Sequence, residues 1–467
     1  MLGLELNRDS DESLARQIFH QLRGQILKGV IKGGEALPST RELARSLAVS
    51  RNTLVEAYDL LRTEGFLVSR PGATSRVPAG LELGDPAVVG LPPDPGEPRP
   101  SAPLHINFRT GRPDLTAFPK YLWNRLLNQA AINLRPDDLA YGQPAGYPPL
   151  RAEIAAWLRR GRGLSAAPED ILICSGATAG LFILTDILHR PGCPFAVEDP
   201  SHPGLRAILK LKGYPVRPAA GDESGLKVAD LNPRGLSAVY VTPSHQFPLG
   251  GILDAGRRTA LIRLAGEHDF YIIEDDYDSE FRYQGPPVSP LFALEPSRVI
   301  YVGTFSKTMF PALRIGFVIL PPQLRDQWLT WRHYLDVQNP ILEQAALAEF
   351  LRLRKIDRHI STMRRLYAKK RGAALAAVDS LFAGRGRCLG DAAGLHLVLE
   401  VKSAVFDESF IRDCRRAGVG VAPLTRYSAK PEGYEDKLLL GYGHLNLDQI
   451  WARLAIIAEV WRGRPSK

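Results

Sequence analysis

Seven prolines crowd the stretch from residue 86 to residue 103: Pro86, Pro92, Pro93, Pro95, Pro98, Pro100 and Pro103. Proline fixes φ and lacks a backbone N–H, so neither a helix interior nor a central strand runs through such a segment. Residues 78–104 show no helical or strand periodicity and read as a semi-extended linker. The 467-residue chain is thereby divided into a short unit over 1–77 and a long one over 105–467.

The short unit carries helix signals. Leu14, Ile18, Leu22 and Ile26 recur every four positions and build one apolar stripe, with Gly33-Gly34 expected to end that helix. Ser39 and Glu42 have capping-box spacing, which predicts a second helix carrying Leu43, Ala44 and Leu47 inward. After a short turn, Ser50 is placed to cap a third helix from Arg51 to about Thr63. Gly65–Val68 and Thr74–Val77 then flank Pro71-Gly72, a hairpin signal. Three helices and a hairpin in this order have winged helix-turn-helix layout, in which the recognition helix offers its first residues to base edges. Arg51 and Asn52 have donors and acceptors suited to bases. Arg41, Arg45 and Thr53 are placed for phosphates, and Arg70 and Arg76 sit on the wing. The same pattern also describes a plain three-helix packing module with solvated arginines.

From about residue 105 the pattern becomes α/β. Short apolar runs at Ile171–Cys174, Phe195–Val197, Ala238–Val241, Phe270–Ile273, Val299–Val302 and Ile315–Leu320 alternate with helix-like segments such as Leu181–Leu188, Gly204–Lys210 and Ala255–Glu267. This alternation predicts a mostly parallel sheet covered by helices. Long helical stretches are expected at 322–352 and 356–382, then a smaller α+β lobe ending in the helix Leu447–Trp461.

Charge and cysteine usage narrow the classes. The net charge is +9; residues 1–77 contribute +2 and the linker −3, so any attraction for a polyanion extends to the long unit, which carries about +10. Cys174, Cys193, Cys388 and Cys414 form no C-x-x-C pair, which argues against a zinc ribbon or a disulfide scaffold. No apolar run approaches the ~18 residues of a membrane helix, and the first residues lack signal-peptide layout. A soluble, cytoplasmic protein is expected.

Three strand-end segments carry chemistry. Thr304-Phe305-Ser306-Lys307, with Arg314 seven residues on, offers an amine and small hydroxyls suited to a Schiff base with an aldehyde cofactor and to its phosphate. Glu274-Asp275-Asp276-Tyr277 offers a carboxylate for a pyridine nitrogen and a phenol for a ring oxygen. Ser175-Gly176-Ala177-Thr178 offers backbone N–H groups and a hydroxyl to phosphate at a helix start. Taken singly, Asp275 reads equally as a helix cap, Lys307 as a surface ion and Gly176 as a turn. Their order is what joins them.

The string from Ala15 to Val77, notably Leu37–Ala44 and Val49–Leu54, resembles a GntR-type winged helix. Asn107–Asp114, Tyr141–Arg151, Val197–Gly204, Thr242–Gly250 and Glu274–Tyr283 resemble fold-type I, pyridoxal-phosphate-dependent aminotransferases. The fusion resembles the MocR/GabR subfamily of bacterial transcriptional regulators. That resemblance implies pyridoxal 5'-phosphate on Lys307 as a Schiff base, Asp275 at the pyridine nitrogen and Tyr277 at the ring hydroxyl. It implies phosphate contacts from Ala177, Thr178, Thr304, Ser306 and Arg314, and from Tyr141 reaching the neighbouring subunit of a homodimer. Arg206 and Arg426 are candidates for an effector carboxylate, with surface ion pairs as the alternative. His202 stands where the family usually has an aromatic that stacks on the cofactor; it reads equally as a surface-loop histidine. Aminotransferases proper usually carry an arginine where this chain has Leu438–Tyr442.

The function implied is a regulator that binds double-stranded operator DNA and senses an amine, an amino acid or pyridoxal phosphate itself. The alternatives are a working aminotransferase with a DNA-binding arm, and a cofactor-free scaffold. The missing C-terminal arginine favours the sensor over the enzyme.

Overall fold

The computed structural model describes residues 2–69, 74–81, 106–382 and 384–464. The chain forms two compact units, 1–102 and 103–467. From residue 82 onward the expected linker lies outside the described residues.

In the first unit, α1 (Leu14–Leu27), α2 (Thr40–Ser46) and α3 (Arg51–Thr63) enclose a core of Ile18, Leu22, Ile26, Leu54, Ala57, Tyr58 and Leu61. The α1 helix stops before the glycine pair, at Leu27, because Gly29 takes φ +70° and Val30 N–H turns back to Gln25 O at 2.9 Å. Both arms of the Ser39–Glu42 capping box form, and Ser50 Oγ accepts from Thr53 N–H at 3.1 Å. The Tyr58 hydroxyl donates to Pro38 O at 2.8 Å and ties α3 to the entrance of α2. Among the described residues the expected hairpin shows an antiparallel bridge, Val68 with Arg76, closed by reciprocal hydrogen bonds of 2.8 and 2.9 Å, and Arg76 also bridges Ala36. Its turn, with Arg70, lies outside the described residues.

The second unit opens with β1 (Ile106–Asn107) and is built on an eight-stranded sheet. Its strands are β2 (Ile171–Cys174), β3 (Phe195–Asp199), β4 (Val216–Asp222), β5 (Gly225–Leu226), β6 (Ala238–Val241), β7 (Tyr271–Asp276), β8 (Val299–Thr304) and β9 (Gly316–Ile319), in the order β2-β9-β8-β7-β6-β3-β4-β5. β4, β3, β6, β7 and β8 run parallel; β9 is antiparallel to both β8 and β2. Alternate residues of β2 feed opposite cores: Ile171 and Ile173 one, Leu172 and Cys174 the other. The first core adds α4 (Lys120–Asn133), α5 (Pro148–Arg162) and, later in the chain, α8 (Ala255–Glu267). The second adds α6 (Ala177–Leu188) and α7 (Pro203–Leu211).

The stretch expected to be helical over 322–352 divides into α9 (Arg325–Leu335) and α10 (Ile341–Arg352). Pro340 has no N–H to offer and drives Asn339 out of helical geometry. The second stretch is α11 (Lys355–Leu381), one unbroken helix. A four-stranded antiparallel sheet then forms the small lobe, β10 (Gly386–Leu389), β11 (His396–Val401), β13 (Ala422–Pro423) and β14 (Lys437–Gly441). It is joined by α12 (Glu408–Arg416) and α13 (Leu447–Arg462), while β12 (Val419–Gly420) pairs with β1 and so ties the unit's first strand to its last lobe. Among the described residues no helix is long and apolar enough to cross a membrane.

Candidate functional site

The carboxyl ends of β2, β3, β6, β7 and β8 all open on one edge of the sheet, and the antiparallel β9 begins there. Open α/β sheets bind ligands at this edge. A cavity of about 260 Å3 lies at it.

Lys307 lies just beyond β8 and lines the cavity; its Nζ donates to Gly111 O at 2.9 Å. A Cβ on Gly111, at φ +72°, would stand 2.7 Å from that nitrogen, so only glycine lets the backbone come this close. Burial pulls the ammonium below its usual range, opposed by the charges of Asp278 and Asp275 and reinforced by Arg314. Asp275, near the end of β7, accepts from the Tyr240 hydroxyl at 2.6 Å through one carboxylate oxygen. The other oxygen is buried with no partner among the described residues. Burial, countered by Tyr240 and Lys307 and aided by Asp276, lifts this carboxyl to about 6.

Thr304 Oγ1 donates to Ser306 Oγ at 3.0 Å and also accepts from Ser306 N–H at 3.2 Å, which shapes the loop before Lys307. Opposite them, Gly176 takes φ +83° and begins α6 without a side chain to cap it, so the first N–H groups of the helix are left for a ligand. Arg314 donates to Ser175 O at 2.7 Å and would collide with a Cβ on Gly176, at 2.8 Å. Ala177, Thr178, Thr304, Ser306 and Arg314 thus meet at one end of the cavity.

His202 lines the cavity as well. Its Nδ1 accepts from Gly204 N–H at 3.1 Å and caps α7, and its ring stands edge-on to Phe247 with centroids 5.5 Å apart. Burial, with the charges of Lys307 and Arg206, pulls its pKa below the usual value and keeps it neutral at pH 7. The Tyr277 hydroxyl donates to His245 O at 3.0 Å.

Three expected residues stand elsewhere. Tyr141 is 90% exposed and does not line the cavity of its own chain. Arg206 is bound to Asp199 Oδ1 at 3.1 Å and to Tyr427 O, where it clasps α7 to the small lobe. Arg426 pairs with Glu408 at 2.8 Å. Neither arginine lines the cavity.

Residues given no role in the sequence also line it: Thr242, Asp278 and His396. Asp278 binds His245 Nδ1 at 2.9 Å, and the His245 and His396 rings lie 4.9 Å apart, all three side chains buried. The strings 242–250 and 274–283 carried two of these residues; His396 had no local signal.

In the first unit, Arg41, Arg51 and Asn52 are exposed. The Arg41 and Arg51 side chains have no hydrogen bond or ion pair among the described residues. Thr53 Oγ1 is instead engaged with Ser50 Oγ at 2.8 Å, and Arg76 donates to Gly34 O at 2.9 Å.

Comparison with known proteins joins the two units. Residues 14–77 match the family "Bacterial regulatory proteins, gntR family" and residues 106–433 match "Aminotransferase class I and II". The probable rhizopine catabolism regulatory protein MocR of Rhizobium meliloti is 36% identical over 95% of this chain and 92% of its own. The pyridoxine biosynthesis transcriptional regulator PdxR of Corynebacterium glutamicum is 33% identical over 98% of each. The chain belongs to the MocR/GabR subfamily of GntR-type transcriptional regulators. As a MocR/GabR-type protein it is a DNA-binding regulator on an aminotransferase-like core. Two solved aminotransferases share that core. The kynurenine aminotransferase of Pyrococcus horikoshii has a TM-score of 0.71 at 25% identity, over 77% of this chain and 91% of its own. The α-aminoadipate aminotransferase LysN of Thermus thermophilus has 0.70 at 26%, over 77% and 92%.

The donor set of this MocR/GabR-type core fits pyridoxal phosphate. The unpartnered Asp275 oxygen lacks only a donor such as a protonated ring nitrogen, the uncapped start of α6 lacks only an anion, and Lys307 supplies an amine between them.

Proposed function

We propose that the cavity holds pyridoxal 5'-phosphate through Lys307, and that a small amine, an amino acid or the cofactor itself is the effector that sets operator binding. The observation that carries this reading is the meeting of Lys307 Nζ with the unpartnered oxygen of Asp275 in one cavity of a DNA-binding regulator. The cofactor supplies an electrophilic carbon and an electron-withdrawing ring. The chain supplies the rest. Burial leaves Lys307 easier to deprotonate, so its amine is available to an aldehyde. Asp275 would accept a hydrogen bond from the protonated ring nitrogen, and Tyr277 would bond the ring hydroxyl. Ala177, Thr178, Thr304, Ser306 and Arg314 would hold the phosphate, and neutral His202 would pack on the ring.

The reading extends to a homodimer in the cytoplasm. Tyr121, Ile132, Tyr141 and Tyr334 are each more than 80% exposed. A second copy covering such side chains would bring Tyr141 to its neighbour's phosphate. On operator DNA, Arg51 and Asn52 read bases, while Arg41, Thr53, Arg70 and Arg76 meet the backbone. An effector acts only if it binds the two arrangements of the dimer with different affinity.

The test is an absorbance titration of the full chain with pyridoxal phosphate, followed by a panel of amines and amino acids. A visible band should appear and should be lost in Lys307→Ala. A compound that shifts the band and also alters operator binding is the effector. A band that survives Lys307→Ala overturns the assignment.

A further inference from the structure

The segment after β7 has two sides. Asp275, Tyr277 and Asp278 line the cofactor cavity; Ser279, Glu280 and Arg282 line a second cavity of about 320 Å3. Four arginines face this second space: Arg160 and Arg162 from the end of α5, Arg282 from the segment itself and Arg364 from α11.

Their charges are unequally compensated. Arg162, only 5% exposed, is bound to Asp276 at 2.6 Å and to Ser244 Oγ at 3.1 Å, yet its Nε has no partner. Arg282 Nε and Ser279 Oγ are likewise buried without partners among the described residues, and Ser279 is 8% exposed. Arg364 spends its Nε on a neutral carbonyl, Glu280 O, at 3.0 Å. The acidic groups facing the space are two. Asp357 stands 3.9 Å from Arg160 and is half-buried. Glu280 is lifted above its usual range by burial, and further by Asp276, and is held back by the Arg162 charge. Neither Arg282 nor Arg364 has an ion pair among the described residues, and burial with the Arg162 charge nearby lowers the pKa of Arg282.

Buried donors without acceptors carry a desolvation penalty that a shared acceptor removes. Here the three residues that carry such donors, on two elements, line one space. A carboxylate offers two oxygens in a plane; a phosphate dianion offers three, spread tetrahedrally, and suits several guanidinium groups at once.

We propose that this second cavity binds a phosphate dianion, either free or carried by a small organic monoester, separately from the cofactor. The ligand lies against Ser279, Arg162 and Arg282, with Arg364 closing over it from α11.

Equilibrium dialysis of the full chain, loaded with one equivalent of pyridoxal phosphate and freed of any excess, against labelled orthophosphate tests the site. The expected result is one saturable phosphate per chain beyond the cofactor. Arg282→Met combined with Arg364→Met should weaken it about tenfold or more while leaving the cofactor absorbance unchanged. Asp357→Asn, which removes the facing anion, should tighten it. Phosphoethanolamine in place of orthophosphate separates the two sources: tighter binding of the monoester points to an organic ligand, tighter binding of orthophosphate to the free ion. The absence of saturable binding overturns the proposal, as does unchanged affinity in the double variant, or acetate bound as well as phosphate. The readout is phosphate per chain and its response to Arg282 and Arg364, so a failure of the Lys307 assignment is scored separately.

Discussion

The two units present their functional side chains in opposite ways. In the winged helix the candidate DNA readers stand in water at the start of a short helix, and the Arg51 side chain makes no hydrogen bond or ion pair among the described residues. In the aminotransferase-like unit the candidate groups are gathered from segments as far apart as Gly111 and His396, and burial displaces their proton affinities. The difference follows from the ligand. A polyanion is met by mobile, hydrated cations that release counterions. A small cofactor needs preorganised donors that water does not reach. The first solution needs only a stable helix end; the second needs a whole sheet to hold its parts.

The largest expected effect tests whether the units are as separate as their cores imply. Leu61 is fully buried among α1, α2 and α3. Leu61→Ala should remove about 2–5 kcal/mol, a large share of the ~5–15 kcal/mol that holds a domain folded. All six tryptophans lie in the long unit, at positions 123 to 461, so their fluorescence reports that unit alone. Operator binding should be lost, while the tryptophan-monitored urea transition and cofactor absorbance stay in place. A shift of that transition would show that the two cores unfold together.

The next effect concerns a buried charge. Asp275→Asn should weaken cofactor binding by about 1.5–3 kcal/mol, the range of a charge-assisted hydrogen bond, measured by titrating absorbance. The carboxyl of Asp275 is held near 6 before the cofactor arrives. It must lose its proton to meet a protonated ring nitrogen, so this group makes affinity rise with pH up to about 6 and then level. The wild-type curve should be steeper than that of Asp275→Asn between pH 5 and 7. Folding carries the opposite sign. A carboxyl with a raised folded pKa holds its proton more tightly when folded, so its contribution favours the cofactor-free fold at low pH and is lost as pH rises through about 6. Equal pH profiles for the two proteins would place the proton elsewhere.

Legibility in the sequence followed the same division. Helix caps are local, so Ser39, Glu42 and Ser50 mark where α2 and α3 begin. Short apolar runs between turns gave β2, β6 and α8. The strand β7 runs on to Asp276 because Glu274 finds buried partners, accepting from Leu291 and Phe292 N–H at 2.9 Å, and Asp276 pairs with Arg162. Apolar patterning does not register strand residues satisfied by hydrogen bonds. The first turn of α6 was hidden by its small residues, Ala177 to Gly180, which carry no apolar stripe. Lys307, Asp275 and the α6 start could be grouped because each ends a strand, whereas His245, Asp278 and His396 meet only through tertiary packing. Arg206 and Arg426 were chosen by alignment alone, and their ion pairs with Asp199 and Glu408 depend on contacts no spacing reveals.

The smallest effect is also the one that separates two roles for the arginine at the start of α3. Ser50 Oγ is committed to Thr53, both to its N–H and to its hydroxyl, so the first turn of α3 is fixed without using Arg51. Arg51→Ala should therefore leave the fold of the unit intact and act on DNA alone. A bidentate contact with a guanine edge would cost about 1–3 kcal/mol on the operator and little on random sequence. Binding measured on both DNAs over a range of salt distinguishes the roles. A base reader changes the operator affinity and leaves the salt slope on random DNA unaltered. A phosphate contact weakens both DNAs alike and lowers the slope by about one. The second outcome would move Arg51 into the class of Arg41 and leave Asn52 as the base reader at the start of α3.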